Sequence, residues 1–332
     1  MQEKKKKKTK VVTIGGGTGS FTFLTELKEL PHVEVTAVVA MSDSGGSTGR
    51  LRVDMGVLPA GDARQALVAL SRSPEGLREL FIYRYTVGDM RGHTFGNLFL
   101  STLEKISGSL EEAITRAGKM LNVKGRIYPV TLHKHELVVQ MSNGERIVGE
   151  GIIDNRFVTG YSRMYLTDGP TLNPKVAAAI AEADIVIVAP GNFYCSIVPN
   201  FLVAGLTEAL KGSNARTVMI MNLLTKEGHT TGFTVGQFLS ELKALSGGFV
   251  PSAVVYNTEP RVTPVLEELY KSEGGELVTL DSGDMSEFSA VELLGANLIA
   301  NTPQEEQSEA DIVKRSLLRH DAKKVLGLLG LV

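Results

Sequence analysis

The stretch Lys10-Val11-Val12-Thr13-Ile14-Gly15-Gly16-Gly17-Thr18-Gly19-Ser20-Phe21 sets the fold class. Its first five residues form a short β-branched, apolar run, the pattern of a buried strand. The glycine cluster supplies a tight turn, and Phe21, Leu24 and Leu27 then recur at helical spacing through Leu30. A second β-branched run, Val33 to Met41, leads directly into Asp43-Ser44-Gly45-Gly46-Ser47-Thr48-Gly49-Arg50. Two glycine turns at the carboxyl ends of neighbouring parallel strands would form a crevice lined by backbone N–H groups. Such a crevice favours an anion, and phosphate is its usual guest.

Further along the chain the alternation continues. The pattern predicts an irregular stretch from Leu51 to Pro59, then a helix opened by Gly61-Asp62-Ala63-Arg64-Gln65, with Asp62 and Gln65 spaced as a capping box. Further helices are expected from Pro74 to Tyr85, after Phe95, and from Ser109 to about Leu121. Residues 125–167 favour short strands: Arg126 to Thr131, Glu136 to Met141, Arg146 to Glu150 and Arg163 to Leu166. Asn143-Gly144 is a hairpin signal between two of them. This stretch reads as a small antiparallel β subdomain inserted between two α/β halves. Asn173-Pro174 then opens a helix, and Asp184 to Ala189 is apolar throughout, as in a strand buried on both faces. A helix is expected from Pro199. Strands are expected at Arg216 to Met221, Ser252 to Tyr256 and Glu276 to Leu280, and a helix capped by Thr234 and Gln237 ends at Gly247-Gly248. Two helices, about 303–316 and 321–330, close the chain. The reading is an α/β domain over residues 10–332 with a mostly parallel sheet and the β-rich insertion, preceded by a disordered basic tail over 1–9.

Composition narrows the function. The 332 residues are 43% hydrophobic, and 35 Lys+Arg against 37 Asp+Glu leave a net charge of −2. Without a basic excess, nucleic acid is not expected as a partner. The single cysteine, Cys195, excludes an internal disulfide framework, fits a reducing cytoplasm, and reads as a small packed residue. Lys4 to Lys8 is followed by no apolar segment of signal-peptide type, and no run is long enough for a membrane span.

Polar residues fall repeatedly just after predicted strands: Asp43, Gly191-Asn192, Asn222 and Asn257. Ligands of open parallel sheets bind outside the carboxyl ends of strands, so these positions point to one site. The first turn is not a strict dinucleotide fingerprint, because Ser20 stands where the third glycine belongs. Asp43 occupies the place of a ribose-binding acid and motivates an NAD(P)-dependent oxidoreductase as a third reading, which the glycines after Asp43 oppose. No Gly-Lys-Ser/Thr follows to make a P-loop, and Ser42 breaks a nucleophile elbow around Ser44. Asp43 and Asp62 are candidate Mg²⁺ ligands beside a phosphate. His93, in a Gly-flanked polar loop, is a candidate phosphate contact, general acid or loop anchor. His133 and His135 share a strand face without a third ligand and read as surface residues.

At this point the segments GGGTG (15–19), DSGGSTGRLR (43–52), PAGDARQALVALS (59–71), GHTFGNLFL (92–100), LNVKGRIYP (121–129), APGNFYCSIVPNFLV (189–203), NLLTKEGHTTGF (222–233) and LRHDAKKV (318–325) resemble the YvcK, or gluconeogenesis factor, family. The resemblance covers about residues 10–327. The superfamily also contains CofD, the 2-phospho-L-lactate transferase of deazaflavin coenzyme synthesis. The resemblance implies a Rossmann-like three-layer α/β/α fold and a cytoplasmic protein that binds a UDP-sugar such as UDP-N-acetylglucosamine and serves cell shape and gluconeogenic growth. Its alternative is a CofD-like Mg²⁺-dependent transferase acting on a nucleoside-diphosphate donor, with Asp43, Asp62 and His93 as its catalytic set. Ligand-contacting positions carried over by motif are Gly16, Gly17, Thr18, Asp43, Gly45, Gly46, Ser47, His93, Gly96, Asn97, Gly191, Asn192, Tyr194, Asn222 and Arg319. Ser44 departs from relatives that have a second acid there, and His229 from those with an acid or amide. Homo-oligomer formation is left open.

Overall fold

The computed structural model describes residues 7–259, 275–300 and 318–332. The expected helix over 303–316 and most of the basic tail lie outside them. Seven strands form one parallel sheet: β1 (Thr9–Gly15), β2 (Val33–Val39), β3 (Arg126–Pro129), β7 (Ile185–Val188), β8 (Arg216–Ile220), β9 (Ala253–Asn257) and β10 (Glu292–Ala296). Their order is β10-β9-β8-β7-β1-β2-β3, so the fold is Rossmann-like, as expected. The chain leaves β1 outward through β2 to β3, returns to β7 on the other side of β1, and continues outward. The reversal lies between β1 and β7, which pair from Val11↔Ile185 to Ile14↔Val188.

The glycine turns form as the sequence requires. After β1, Gly16 is extended at the N-cap of helix α1 (Gly17–Leu27), whose Phe23, Leu24 and Leu27 are buried. Burying each of these apolar side chains contributes about 1.5–3 kcal/mol. Gly19 permits the close approach of α1 to the loop after β7: a Cβ there would stand 1.9 Å from the Pro190 carbonyl oxygen. After β2, Gly45 caps helix α2 (Gly46–Met55), and Gly56 ends it at φ +63°. Residues 51–55, expected to be irregular, are thus helical. Their apolar pattern is weak because only Ser47, Thr48 and Leu51 of α2 are buried. Helix α3 (Gly61–Leu70) follows, then α4 (Glu75–Ile82), α5 (Phe95–Ser107) and α6 (Leu110–Met120).

The inserted sheet contains three strands, β4 (Leu137–Met141), β5 (Arg146–Val148) and β6 (Tyr161–Leu166), in the antiparallel order β5-β4-β6. β3 is not among them. It pairs in parallel with β2, from Thr36↔Arg126 to Val39↔Pro129, and forms the edge of the main sheet. Between β5 and β6 lies a one-turn helix, α7 (Glu150–Ile153). Helix α8 (Pro174–Ala181) precedes β7, and a π-helical turn, Phe193–Ile197, follows it. The helix expected from Pro199 is two short pieces, α9 (Val198–Phe201) and α10 (Leu206–Lys211). Helix α11 (Val235–Leu245) carries the Thr234–Gln237 capping box that the sequence predicts. Residues 276–280 contribute only an isolated bridge, Leu224↔Leu277. β10 is a partly exposed edge strand with no alternating pattern to announce it. The last helix is α12 (Ala322–Leu328). Among the described residues no helix is long and apolar enough to cross a membrane.

Candidate functional site

Helices α1 and α2 begin at the carboxyl ends of adjacent strands, and neither Gly16 nor Gly45 offers a side chain to cap them. Both N-termini therefore bring N–H groups and positive dipole ends to the switch-point crevice. Two carboxylates sit at their bases. Asp62 does not cap its own helix. It reaches across to α1, where Oδ1 accepts from the Gly17 N–H at 2.9 Å, and a Cβ on Gly16 would stand 1.9 Å from its Oδ2. Asp43 Oδ1 accepts from the Gly45 N–H at 2.9 Å, and Gly61 leaves room for its other oxygen.

The insertion delivers two more carboxylates. Gly151 in α7 lies against the second glycine turn, with its N–H donating to Ser44 Oγ at 3.0 Å. A Cβ on Gly45 would be 3.5 Å from Asp43 Oδ1 and 3.9 Å from Glu150 Oε2, so these two acids face the same small volume. Asp154, one turn on, accepts from Lys226 Nζ at 2.6 Å and from the Asn192 side-chain amide. Glu150, Asp154 and the Cys195 sulfur lie within 4.8 Å of one another. Ser44, the departure from the acidic pattern, is thus the residue that docks α7.

Burial, with mutual repulsion at Asp62 and Glu150, leaves Asp43, Asp62 and Glu150 reluctant to ionise. Burial, and then the Asp43 charge, push Asp62 up to about 7, against the pull of the Gly17 N–H and Arg64. Glu150 is pushed up to about 8 by burial, then by Asp43, Asp154 and Asp62. Asp43 is raised by burial, opposed by its bonds to Gly45 and Thr48. The Cys195 thiol is raised well above its ordinary value, chiefly by burial, which fits its reading as a packed residue.

These shifts predict a pH dependence. The folded protein holds protons on Glu150 and Asp62 that the unfolded chain releases near its ordinary carboxylate values. Stability therefore falls as pH rises toward about 8 and levels off above it. The histidines His93, His135, His229 and His320 all have lowered values, mainly through burial, so they act in the opposite sense below their ordinary 6.5. The carboxylates are separable from them between pH 6.5 and 8. The melting temperature of the ligand-free protein should fall across that window, and less so in Glu150→Gln. A flat profile would contradict the cluster's electrostatics.

The second rim of the crevice is built on α5. Thr94 caps it by accepting from the Asn97 N–H, which orients Asn97 toward Arg64 Nε (3.0 Å) and Thr48 Oγ1 (3.4 Å). Gly96 is required for packing, since a Cβ there would meet the Phe81 carbonyl oxygen at 2.5 Å. His93 shares a 3.0 Å hydrogen bond between Nδ1 and Ser47 Oγ, and its lowered value leaves the ring neutral at pH 7. That bond ties the loop before α5 to the second glycine turn.

Other expected positions lie less directly on the crevice. Gly191 exchanges two backbone bonds with the Asn222 side chain (3.2 and 2.8 Å), which ties the loop after β7 to the end of β8. Thr18 lies in the first turn of α1, and its carbonyl accepts from Thr22 Oγ1. Tyr194 is buried, and its hydroxyl donates to Glu241 at 2.7 Å, alongside Tyr161 of β6. Its phenol belongs to the joint between insertion and core. Asn257 closes its own loop through Glu259 and Leu298. Arg319 is exposed beside the loop after β10, while the neighbouring His320 turns inward onto Phe23 and the Met221 carbonyl. His135 is not on the surface: it is buried and shares a hydrogen bond with Ser42 Oγ at 3.1 Å. The sequence reading missed Glu150, Asp154, Arg64 and Lys226. No local pattern marks the first two, which reach the crevice from an insertion more than a hundred residues downstream of Asp43.

Comparison with known proteins agrees with this architecture. The family profile described as 2-phospho-L-lactate transferase CofD matches residues 11–300. A Thermotoga maritima relative is 37% identical, over 92% of this chain and 96% of its own. The protein named gluconeogenesis factor in Halalkalibacterium halodurans is 35% identical over 96% of this chain and 95% of its own. Its namesake in Bacillus subtilis is 33% identical over 97% of each. The crystal structure of a UPF0052 family member from Bacillus halodurans superposes with a TM-score of 0.87 at 32% identity, covering 97% of this chain and 99% of that one. The chain belongs to the CofD family, in its gluconeogenesis factor (UPF0052) branch.

Proposed function

We propose that this protein is a nucleotide-sugar-binding regulator of the gluconeogenesis factor type. It would act in the cytoplasm and take a UDP-sugar such as UDP-N-acetylglucosamine, linking carbon metabolism to cell shape. The observation that carries the reading is that α1 and α2, each opened by glycine, begin at the carboxyl ends of the neighbouring strands β1 and β2, beside the β1–β7 switch point. A diphosphate would accept from N–H groups of both helices while the sugar and base extend toward the rims. Gly16, Gly17, Thr18, Gly45, Gly46 and Ser47 would face the phosphates. Gly191 and Asn192 would flank them, and Asn97 would be held in place by Arg64.

The carboxylates favour a second reading, a CofD-like 2-phospho-L-lactate transferase. Asp43, Asp62 and Glu150 offer hard oxygen donors of the kind Mg²⁺ takes. Such an ion, when bound, would offset the charge of a diphosphate donor. The protein's own contribution would be positional: Gly17 and Gly45 N–H groups fix two carboxylates, and Ser44 holds α7 against them.

A thermal-shift titration separates the readings. A ligand at about 100 times its Kd should add roughly 2.7 kcal/mol of stability. Stabilisation by UDP-N-acetylglucosamine without Mg²⁺ supports the regulator. Stabilisation by GDP that requires Mg²⁺, with no response to the UDP-sugar, would replace it by the transferase.

A further inference from the structure

The insertion and the loop after β8 meet at a polar joint beside both glycine turns. Asp154, the C-cap of α7, accepts from Lys226 Nζ through Oδ1 at 2.6 Å, and the same ammonium donates to the Asp154 carbonyl at 2.6 Å. The Asn192 side-chain amide donates to that Oδ1 as well. On one side the joint adjoins the first turn, since a Cβ on Gly191 would stand 3.6 Å from the Gly16 carbonyl oxygen. On the other it adjoins Glu150, whose carboxylate lies within 4.8 Å of the Asp154 carboxylate and faces the second turn.

The joint keeps hydrogen-bonding capacity in reserve. Both side chains of the ion pair are 40% exposed. Asp154 Oδ2 has no partner among the described residues, and Lys226, with three N–H donors, directs two of them to Asp154. Asn192 Oδ1 is shielded from solvent and also unpartnered among the described residues, so the joint is incomplete on that side. An acceptor and a donor therefore stand side by side on exposed groups. Adjacent sugar hydroxyls suit such a pair, because each hydroxyl both donates and accepts. Phe157, three residues beyond Asp154, is 67% exposed although Ile153 and Val158 beside it are fully buried. Its ring rests on Gly228, where a Cβ would meet Cδ1 at 1.7 Å, and the Val158 and Thr159 N–H groups donate to the Gly228 carbonyl at 2.8 and 3.1 Å. An anchored aromatic ring with a few polar groups next to it is the usual make-up of a small-molecule site.

We propose that Asp154, Lys226 and Phe157 form a sugar subsite at the edge of the crevice. The charged pair takes adjacent hydroxyls of a pyranose, the Phe157 ring takes its apolar C–H face, and Asn192 positions the Asp154 carboxylate. The subsite rests on the nucleotide-sugar reading, because the pyranose reaches it as the terminal group of a diphosphate held at the glycine turns. Titration calorimetry of the full chain with UDP and with UDP-N-acetylglucosamine gives the factor by which the sugar tightens binding. In the wild type that factor should be about tenfold or more, the contribution of one hydrogen bond to a charged group. Lys226→Met and Phe157→Ala should each lose most of it. Phe157 is exposed enough to be removed without unfolding its segment, so that variant decides the matter if Lys226→Met fails to fold. A factor near one in the wild type, or one that survives in a folded variant, would overturn the subsite and leave the diphosphate reading standing. UDP affinity that falls as far as UDP-sugar affinity assigns these residues to the nucleotide and overturns the subsite as well. A wild-type protein that binds neither compound would overturn the nucleotide-sugar reading itself, and the subsite with it.

Discussion

Asp43→Asn should melt at a higher temperature than the wild-type protein and, on the transferase reading, bind a Mg²⁺-loaded diphosphate ligand about 100-fold more weakly. Both effects follow from one geometry. Asp43 lies close to the half-buried Asp62 and Glu150 and is among the causes that raise both of them. Removing its charge relieves that repulsion in the ligand-free state. Asparagine keeps the oxygen that accepts from the Gly45 N–H, so the start of α2 is preserved. It loses the anionic donor that a hard cation needs, and a 100-fold loss corresponds to about 2.7 kcal/mol. Gains in stability on neutralising a binding residue are a common trade-off. Thermal melts with and without ligand and Mg²⁺ read both arms. A variant that melts lower while ligand-free, or binds as tightly as the wild type, would mean that Asp43 serves the turn alone.

Gly19→Ala should cost about 3 kcal/mol, close to the upper end of ordinary overpacking. The added Cβ would stand 1.9 Å from the Pro190 oxygen and 2.8 Å from its carbonyl carbon. Those atoms are backbone and cannot step aside by changing rotamer. Relief requires moving α1 away from the loop after β7, which displaces the first glycine turn, so ligand affinity should fall as well. Gly76→Ala in α4 is the control. Nothing lies within 4 Å of its Cβ position, and the change should stabilise by roughly 0.5–1 kcal/mol through backbone entropy. Denaturant unfolding of the two variants should therefore give effects of opposite sign. A neutral Gly19→Ala would mean that α1 and the β7 loop are not in contact.

Much of this architecture is legible in the chain because its signals are local. A β-branched run, a glycine turn and a helical period occupy fewer than twenty consecutive residues, and β1–α1 and β2–α2 follow from them. The capping signals at Asn173 and Thr234 succeed for the same reason. Failures arise where a long-range contact outcompetes a local one. Asp62 and Gln65 have capping-box spacing, yet the Asp62 carboxylate is taken by Gly17, 45 residues earlier. Arg126–Pro129 has the strand character of its neighbours in sequence, but its pairing with β2 places it in the main sheet. Tyr194 follows a strand into a polar loop, and the π-helical turn then directs its phenol to Glu241. Glu150 is the largest omission. Its importance comes from α7 packing on the second glycine turn, a contact no spacing rule encodes.

The central claim is that a diphosphate rests on the N-termini of α1 and α2. Amide hydrogen exchange with and without UDP-N-acetylglucosamine tests it directly. The account predicts new protection concentrated at residues 15–20 and 43–50, with little change at the amino-terminal edge of the sheet. Saturating ligand that leaves both glycine turns exchanging as before, while protecting another surface, would contradict it.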